Sequence, residues 1–160
     1  MILKFFYSLK NPRKFGAFAM HLGAIIILTG GIITALYRKS GYISFSKGET
    51  RRFFERSNLK SPIKSLGFSV RLDNFTLKNF KSTISIIEND GHIIKGNLRI
   101  NHPFKYKDYV FYQAAFNPSQ PDWTVLDVVK DPGVEIVYIG FFLLDIGAIL
   151  TAIFAMRKEN

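Results

Sequence analysis

The sequence predicts a membrane protein in which two transmembrane helices flank an extracytoplasmic antiparallel β-domain, a small sandwich or an open barrel. Two long apolar stretches near the ends of the chain predict the helices, because roughly 20 consecutive apolar residues are enough to span a bilayer. Between them, apolar and polar residues alternate in several short segments. That alternation is the pattern of strands with one buried face.

The predicted organisation has five parts. They are a cytoplasmic N-terminal segment at residues 1–14, a first transmembrane helix at 15–36, the β-domain at 37–133, a second transmembrane helix at 134–156 and a cytoplasmic tail at 157–160. Both end segments carry lysine and arginine, and such residues favour the cytoplasmic side of a membrane. Both termini are therefore predicted to be cytoplasmic, with the β-domain outside the cytoplasmic (inner) membrane.

Small residues recur regularly in both apolar stretches. Gly16, Gly23 and Gly30 are seven positions apart, and Gly140 and Gly147 repeat that spacing. Seven positions return to nearly the same face of a helix. A seam of small residues lets two helices approach closely. We therefore expect the two helices to pack on each other through these glycines, or on a partner helix.

About seven short strands are predicted in the β-domain. Alternation or aromatic content marks four of them, at residues 68–72, 83–86, 109–115 and 125–129. The sequence Asn89-Asp90-Gly91 predicts a hairpin turn, because Asp and Gly tolerate positive φ. Residues 58–65 predict a loop, and residues 117–121 predict a break before the last strand. The sequence Asp131-Pro132-Gly133 predicts the end of the sheet.

His21 interrupts the first apolar stretch. It lies five positions after Gly16, roughly 140° around a helix from the glycine seam. An ionisable residue within a membrane span is a candidate functional residue, and a neutral imidazole suits axial ligation of heme iron. The alternative is a buried histidine that bonds a backbone carbonyl or a neighbouring helix. A single histidine supplies one axial ligand, so the second would come from another chain.

Asp145 is the ionisable residue of the second apolar stretch. Counted from the ends of the two stretches, it should lie a few ångströms nearer the outer face than His21. A carboxylate could accept the second N–H of a metal-bound imidazole. The alternative is a protonated Asp145 bonded to a partner helix, or to Thr29 or Thr34.

The rest of the chain predicts no catalytic residue. His92 and His102 stand in or beside strands without ligand spacing, and the chain has no cysteine, which excludes disulfides and CxxC motifs. The formal net charge of +10 would suggest nucleic acid in a soluble protein. With two membrane spans and no nucleic-acid motif, it instead suggests anionic membrane lipids, an acidic partner or heme propionates.

Several short stretches, in order along the chain, carry a resemblance. They are His21-Leu22-Gly23, Gly30-Gly31, Gly41-Tyr42-Ile43, Lys47-Gly48-Glu49, Asn101-His102-Pro103-Phe104, Tyr112-Gln113 and Asp131-Pro132-Gly133. Together they resemble the ResB family, also called CcsB, of System II cytochrome c biogenesis proteins.

The resemblance implies a subunit that works with the polytopic protein CcsA to move heme across the membrane and deliver it to apocytochrome c. His21 matches the membrane histidine implicated in heme binding, which implies heme b shared with the partner and His21 as an axial ligand of its iron. Heme attachment would occur on CcsA, so this chain would be at most an accessory subunit of a synthetase. Family members typically have further spans before the equivalent of Phe15, so we expect dependence on the partner. The alternative is a non-catalytic membrane-anchored scaffold or assembly subunit with an extracytoplasmic binding sheet and no heme.

Overall fold

The structure, a computed structural model, describes residues 12–55 and 64–156. It divides into a helical unit, formed by the two apolar helices with their flanking residues, and a β-unit, Lys39–Lys130. Most of the predicted loop at 58–65, most of the N-terminal segment and the C-terminal tail lie outside the described residues.

Within the described residues, two helices form the helical unit. Helix α1 is Pro12–Tyr37 and helix α2 is Gly133–Met156. Each contains a 24-residue segment that is long and apolar enough to cross a membrane. Asp131 precedes α2, and its Oδ1 accepts hydrogen bonds from the Gly133 N–H at 3.0 Å and from the Thr34 hydroxyl at 2.8 Å. One carboxylate thus caps the start of α2 and ties it to the end of α1.

The glycine seams of α1 and α2 face each other in antiparallel register, as predicted for packing between the two helices. Gly16 lies against Gly147, Gly23 against Gly140, and Gly30 against Gly133. All six glycines are buried. Gly133 has the same seven-residue spacing from Gly140, but its place in Asp131-Pro132-Gly133 predicts the end of the sheet and not a position in the seam. In the structure, Gly133 is both the first residue of α2 and a member of the seam.

The described residues of the β-unit, 39–55 and 64–130, form eight strands and one short 3-10 helix. The strands are β1 (Lys39–Ser46), β2 (Thr50–Phe54), β3 (Lys64–Thr76), β4 (Lys81–Ile87), β5 (Ile93–Leu98), β6 (Phe104–Tyr106), β7 (Tyr109–Asn117) and β8 (Gln120–Lys130), and the 3-10 helix is Leu77–Asn79. All strand pairs are antiparallel and form two four-stranded sheets, in the orders β1-β8-β7-β6 and β2-β3-β4-β5. This confirms the predicted fold class.

The core of the β-unit lies between the two sheets. Its fully buried aromatic and aliphatic side chains come from both, and include Phe45 and Phe111 of one sheet and Phe68, Leu72 and Ile84 of the other. This burial is what alternation along each strand produces. Single bridges join the sheets at their edges, between Tyr42 and Glu55 and between Arg99 and His102. The unit is a sandwich, and these isolated bridges do not close it into a barrel.

Two strand boundaries differ from the prediction. Strand β3 begins at Lys64, so Ser65 is in a strand and not in the predicted loop. Asn117 pairs directly with Gln120, which reduces the predicted break to the turn residues Pro118 and Ser119. Pro121 is tolerated within β8 because β1 pairs with β8 only from Trp123 onward, so the missing N–H of Pro121 costs no bond on that side.

Candidate functional site

His21 lies on the outward surface of α1, where its side chain is exposed. Its Nδ1 is 2.7 Å from the carbonyl oxygen of Ala17, one turn earlier in the helix. A carbonyl oxygen can only accept a hydrogen bond, so Nδ1 carries the proton and donates it. In the neutral ring, Nε2 then keeps its lone pair. The helix backbone therefore fixes the tautomer and leaves one ring nitrogen available as a ligand.

Apolar side chains surround His21 on the same face of α1. Phe18, Ile25 and Leu28 stand three, four and seven positions from it, so they are its neighbours on the helix surface. Their exposed fractions are 37%, 59% and 68%. An imidazole nitrogen within an exposed apolar surface has the chemistry that an axial heme ligand requires: a neutral nitrogen donor and a face for the porphyrin. The residues present fit one half of a heme site.

The predicted depth of Asp145 relative to His21 is wrong. A Cβ atom on Gly16 would lie between Gly147 and Thr151, and one on Gly23 between Gly140 and Leu144, so Asp145 is level with residues 18–20 of α1. It therefore lies less than about one helical turn from the level of His21, toward the start of α1 rather than toward its end. The prediction counted from the ends of the apolar stretches, but the glycine contacts set the register and those ends are not level.

Asp145 also does not meet His21. It is five positions from Gly140, so it lies roughly 140° from the seam of its own helix, as His21 does on α1. Both side chains are exposed, and they point away from the seam that joins the two helices. Support of the imidazole by this carboxylate is therefore excluded within the described helix pair.

The predicted alternative partners of Asp145 are occupied elsewhere. The Thr29 hydroxyl donates to the Ile25 carbonyl at 2.8 Å, and the Thr34 hydroxyl donates to Asp131. Both threonines lie beside the start of α2, since Gly30 contacts Gly133, whereas Asp145 is twelve residues further along that helix. Neither threonine is the partner of Asp145.

In the β-unit, the motif residues that carry the family resemblance build the sandwich. A Cβ atom on Gly41 would collide with the backbone of Glu55, so glycine is needed where the two sheets are bridged. Gly48 has φ +83° in the β1–β2 turn, and its N–H donates to the Leu72 carbonyl at 2.7 Å. The Glu49 side chain accepts from the Ser46 N–H at 2.9 Å. Gly48 and Glu49 therefore fix the β1–β2 turn, and Gly41 allows the two sheets to approach at the edge of the sandwich.

The sequence Asn101-His102 also forms a turn. Asn101 has φ 61°, and Arg99 and His102 exchange two backbone hydrogen bonds of 3.1 and 2.9 Å across it. His92 lies in the β4–β5 turn at the opposite end of β5, and both histidines are exposed. Within the described residues, no three His, Cys, Asp or Glu side chains come together as a metal site.

Gln113 connects the two sheets through the core. Its Oε1 accepts from the Ser82 hydroxyl at 2.6 Å, and its Nε2 donates to the Thr124 hydroxyl oxygen at 2.5 Å. Thr124 in turn donates to the Ala115 carbonyl at 3.0 Å. Ser82 and Thr124 are fully buried. This network was not predicted, because Ser82 and Gln113 are distant in sequence and the β7 bulge at Gln113 determines their meeting.

The shifted pKa values in the β-unit arise from structural hydrogen bonds and ion pairs. Burial alone would raise the pKa of Asp73, but hydrogen bonds from Ser85 and Arg71 outweigh it and lower that pKa below its ordinary value. The Ser85 hydroxyl oxygen is 2.5 Å from Asp73 Oδ2, and Arg71 Nε is 2.8 Å from Asp73 Oδ1. On the surface, the hydrogen bond between Lys130 and Asp108 lowers the pKa of Asp108 and raises that of Lys130.

These features define a membrane protein with one candidate ligand residue, the outward His21 of α1. Its two membrane-length helices are joined by a glycine seam, and a β-sandwich lies between them in sequence. A family model described as the ResB-like family matches residues 11–122. The chain belongs to the ResB-like family, which confirms the resemblance predicted from its motifs.

Curated relatives are cytochrome c biogenesis proteins. The protein Ccs1 of Heterosigma akashiwo is 32% identical over 110 residues, covering 61% of this chain and 25% of its own length. The protein CcsB of Prochlorococcus marinus is 29% identical over 122 residues, covering 74% and 27%. Protein NrfI of Wolinella succinogenes is 28% identical over 92 residues, covering 51% and 10%. The chain thus spans about a quarter of the length of Ccs1 and CcsB, and a tenth of NrfI.

A solved structure also shares the fold. The cytochrome c heme lyase CcmF superposes with a TM-score of 0.59 and 13% sequence identity, over 89% of this chain and 25% of the CcmF chain. At this identity the likeness concerns the fold alone.

Proposed function

We propose that this chain is a subunit of a System II complex that exports heme and attaches it to apocytochrome c. In this proposal a CcsA-type membrane protein is the partner, and heme b is the cargo that the two proteins share. Membership of the ResB-like family and the cytochrome c biogenesis relatives support the general role. Attachment of heme to cysteine thiols takes place on the partner, and this chain positions the heme and delivers it to apocytochrome c.

The observation that carries the proposal is the state of the His21 ring. Nδ1 donates to the Ala17 carbonyl, which leaves Nε2 as the ligand nitrogen on the outward surface of α1. The predicted alternative, a buried histidine satisfied by a backbone carbonyl, accounts for Nδ1 but not for the exposed Nε2. His21 provides one axial ligand, and a histidine of the partner provides the other.

The β-unit holds the apocytochrome or braces the partner on the outer side of the cytoplasmic membrane, with both chain termini in the cytoplasm. An aromatic surface supports a binding role. Tyr42, Asp127 and Tyr112 are aligned across β1, β8 and β7, and the tyrosines are 43% and 42% exposed. Tyrosine side chains of this kind are enriched in binding surfaces because they combine an apolar ring with a polar tip.

The test is the visible spectrum of the complex. The chain is co-produced with a CcsA-type protein, purified in mild detergent and compared with His21→Ala. Heme absorbance should fall sharply in His21→Ala, and added imidazole should restore part of it because imidazole replaces the missing nitrogen. His92→Ala is the matched control, since that histidine is exposed in a turn of the β-unit, and it should keep the spectrum of the unmodified protein.

A His21→Ala complex with unchanged heme content and an unchanged spectrum would show that His21 is not a ligand. If that variant also retained its partner, the scaffold function without heme would become the better account.

A further inference from the structure

Asp145 stands near the middle of α2. It is twelve residues after Gly133 and eleven before Met156, so it lies about 18 Å from the first residue of the helix and about 17 Å from the last. The hydrocarbon core of a bilayer is about 30 Å thick. In a membrane-spanning α2, this carboxyl group would therefore be close to the bilayer centre, where ionisable groups are rare and are usually paired.

No residue that the structure describes satisfies this carboxyl group. Asp145 is exposed on the side of α2 away from the seam, and none of the described residues is seen to donate a hydrogen bond to it. Thr29, also exposed within a membrane-length helix, is different because its hydroxyl bonds the Ile25 carbonyl of its own helix. Asp145 is thus, together with His21, a polar group of the described helix pair that needs a neighbour outside it.

Lipid cannot be the neighbour that satisfies Asp145. Long lysine and arginine side chains reach the headgroups from within a span, but the aspartate side chain is too short to do so from the middle of a helix. Acyl chains offer no hydrogen-bond donor. A protein surface that presents a donor must therefore cover this face of α2.

A second copy of this chain is also a poor match. A symmetric pair formed through this face would place two Asp145 carboxyl groups opposite each other, and neither ionised carboxylate would offer the other a hydrogen-bond donor. The complementary neighbour is a different helix that carries a cation or another N–H or O–H donor.

We propose that the Asp145 face of α2 docks a transmembrane helix of the CcsA-type partner that presents a hydrogen-bond donor at mid-membrane depth. The inference rests on the proposed function for the identity of that partner. Around Asp145 the face is apolar and open, since Tyr138, Phe142 and Ile149 are 69%, 69% and 59% exposed. A partner helix would pack on these side chains, and the carboxyl group would fix its depth and rotation.

The experiment measures how much CcsA-type protein co-purifies with the tagged chain. Asp145→Leu keeps a similar volume and removes the hydrogen-bonding carboxyl group, so recovery of the partner should fall about tenfold or more, as expected for the loss of a buried hydrogen bond. Asp145→Glu should recover most of the partner. Thr29→Val is the matched control, because it removes an exposed intramembrane polar group that is already satisfied, and it should leave recovery unchanged.

A second measurement reports the covered surface directly. The chain has no cysteine, so Ile149→Cys introduces a single thiol one turn from Asp145. A membrane-permeant maleimide should label this thiol in the chain alone and label it poorly in the complex. Adding Asp145→Leu should restore labelling. The fluorescence of Trp123, the single tryptophan, checks that the β-unit of each variant is folded.

Unchanged partner recovery in Asp145→Leu, or unchanged thiol protection, would overturn the inference. So would co-purification of two differently tagged copies that depends on Asp145, since that would identify a second copy as the neighbour. The two proposals fail separately. Loss of the partner in Asp145→Leu with unchanged heme in His21→Ala retains the docking surface and rejects heme ligation, whereas the reverse result rejects only the docking surface.

Discussion

Substituting Gly23 by alanine should force α1 and α2 apart. A Cβ atom at Gly23 would lie 2.7 Å from the Gly140 carbonyl oxygen and 2.7 Å from the Leu144 backbone nitrogen. Both are backbone atoms of a helix, so no side-chain rotation can relieve the contact. Ordinary van der Waals contact begins at 3.4 Å, which leaves a shortfall of 0.7 Å (3.4 Å less 2.7 Å).

The cost follows from that shortfall. Moving α2 away by this amount opens gaps at neighbouring seam contacts, and a gap of about 0.5–1 Å already forfeits a quarter to a half of the dispersion energy of each contact. Inserting a methyl group into a closely packed interface typically costs about 1–3 kcal/mol. We therefore expect Gly23→Ala to destabilise the association of α1 and α2 by about 1–3 kcal/mol.

Gly31→Ala provides a matched control on the same helix. A Cβ atom there meets nothing within 4 Å, so no clash arises. Alanine is a better helix former than glycine by about 0.5–1 kcal/mol, so this variant should be neutral or slightly more stable. The two substitutions add the same methyl group and differ in what surrounds it.

The assay follows the distance between two dyes during titration with sodium dodecyl sulfate in a mild detergent. Since the chain has no cysteine, Lys14→Cys and Ala152→Cys place unique labels at exposed positions near the same end of the helix pair. Energy transfer should be lost at lower sodium dodecyl sulfate in Gly23→Ala than in Gly31→Ala. Equal midpoints for the two variants would refute the seam as the source of helix association.

Two further predictions concern the β-unit and use Trp123 fluorescence to follow unfolding. The pKa of Asp73 is lowered in the folded state, so the stability that this carboxylate contributes is present above its ordinary pKa of 3.8 and is lost as the pH falls through the folded pKa. Asp73→Asn should therefore reduce the loss of stability at acidic pH. An unchanged pH profile of stability would contradict the role of the carboxylate. Gln113→Leu should destabilise the sandwich by about 1–3 kcal/mol because the buried Ser82 hydroxyl loses its acceptor. Thr83→Val, which removes an exposed hydrogen bond, should cost much less in the same measurement, and equal losses would reject the argument from burial.

The helices and their contact surface were predictable because the signals are local. Apolar length and the seven-residue spacing of Gly16, Gly23 and Gly30 are properties of one segment. The register was not predictable in the same way. Each apolar stretch has uncertain ends, and only the packing of Gly16 on Gly147 and Gly23 on Gly140 shows how far one helix is displaced along the other. That displacement reversed the predicted order of depth of His21 and Asp145.

In the β-unit, alternation indicated strands where one face is buried, as in β8. Strand β2 was harder to identify, since four of its five residues are exposed and only Phe54 is buried. The pairing of strands depends on contacts between distant residues. Gln113 shows this most clearly, because its sequence neighbours give no indication that it will meet Ser82 across the core. Such a network exists only once two sheets have packed.

For the candidate site, the residue type was predictable and its geometry was not. A histidine in an apolar span indicates function on general grounds. Which ring nitrogen remains free depends on the side-chain conformation that brings Nδ1 to the Ala17 carbonyl. Without that contact, the sequence is compatible with both a buried structural histidine and an axial ligand.

The glycine seam gives the arrangement of His21 and Asp145 a further consequence. Six glycines form the closest contacts between α1 and α2, and none of the described side chains nearest to them is ionisable: these are Met20, Ile27, Thr34, Val137 and Thr151. The two ionisable side chains of the described helices that lie well within their length, His21 and Asp145, therefore both stand on outer faces, on different helices. In an antiparallel pair, two positions that follow the seam by the same rotation lie on the same side of the plane through both helix axes. His21 and Asp145 each follow a seam glycine by five positions, so both face that side of the pair and each is turned outward from the other helix. If both groups act as proposed, the helices of the partner approach the pair from that side, one beside α1 and one beside α2.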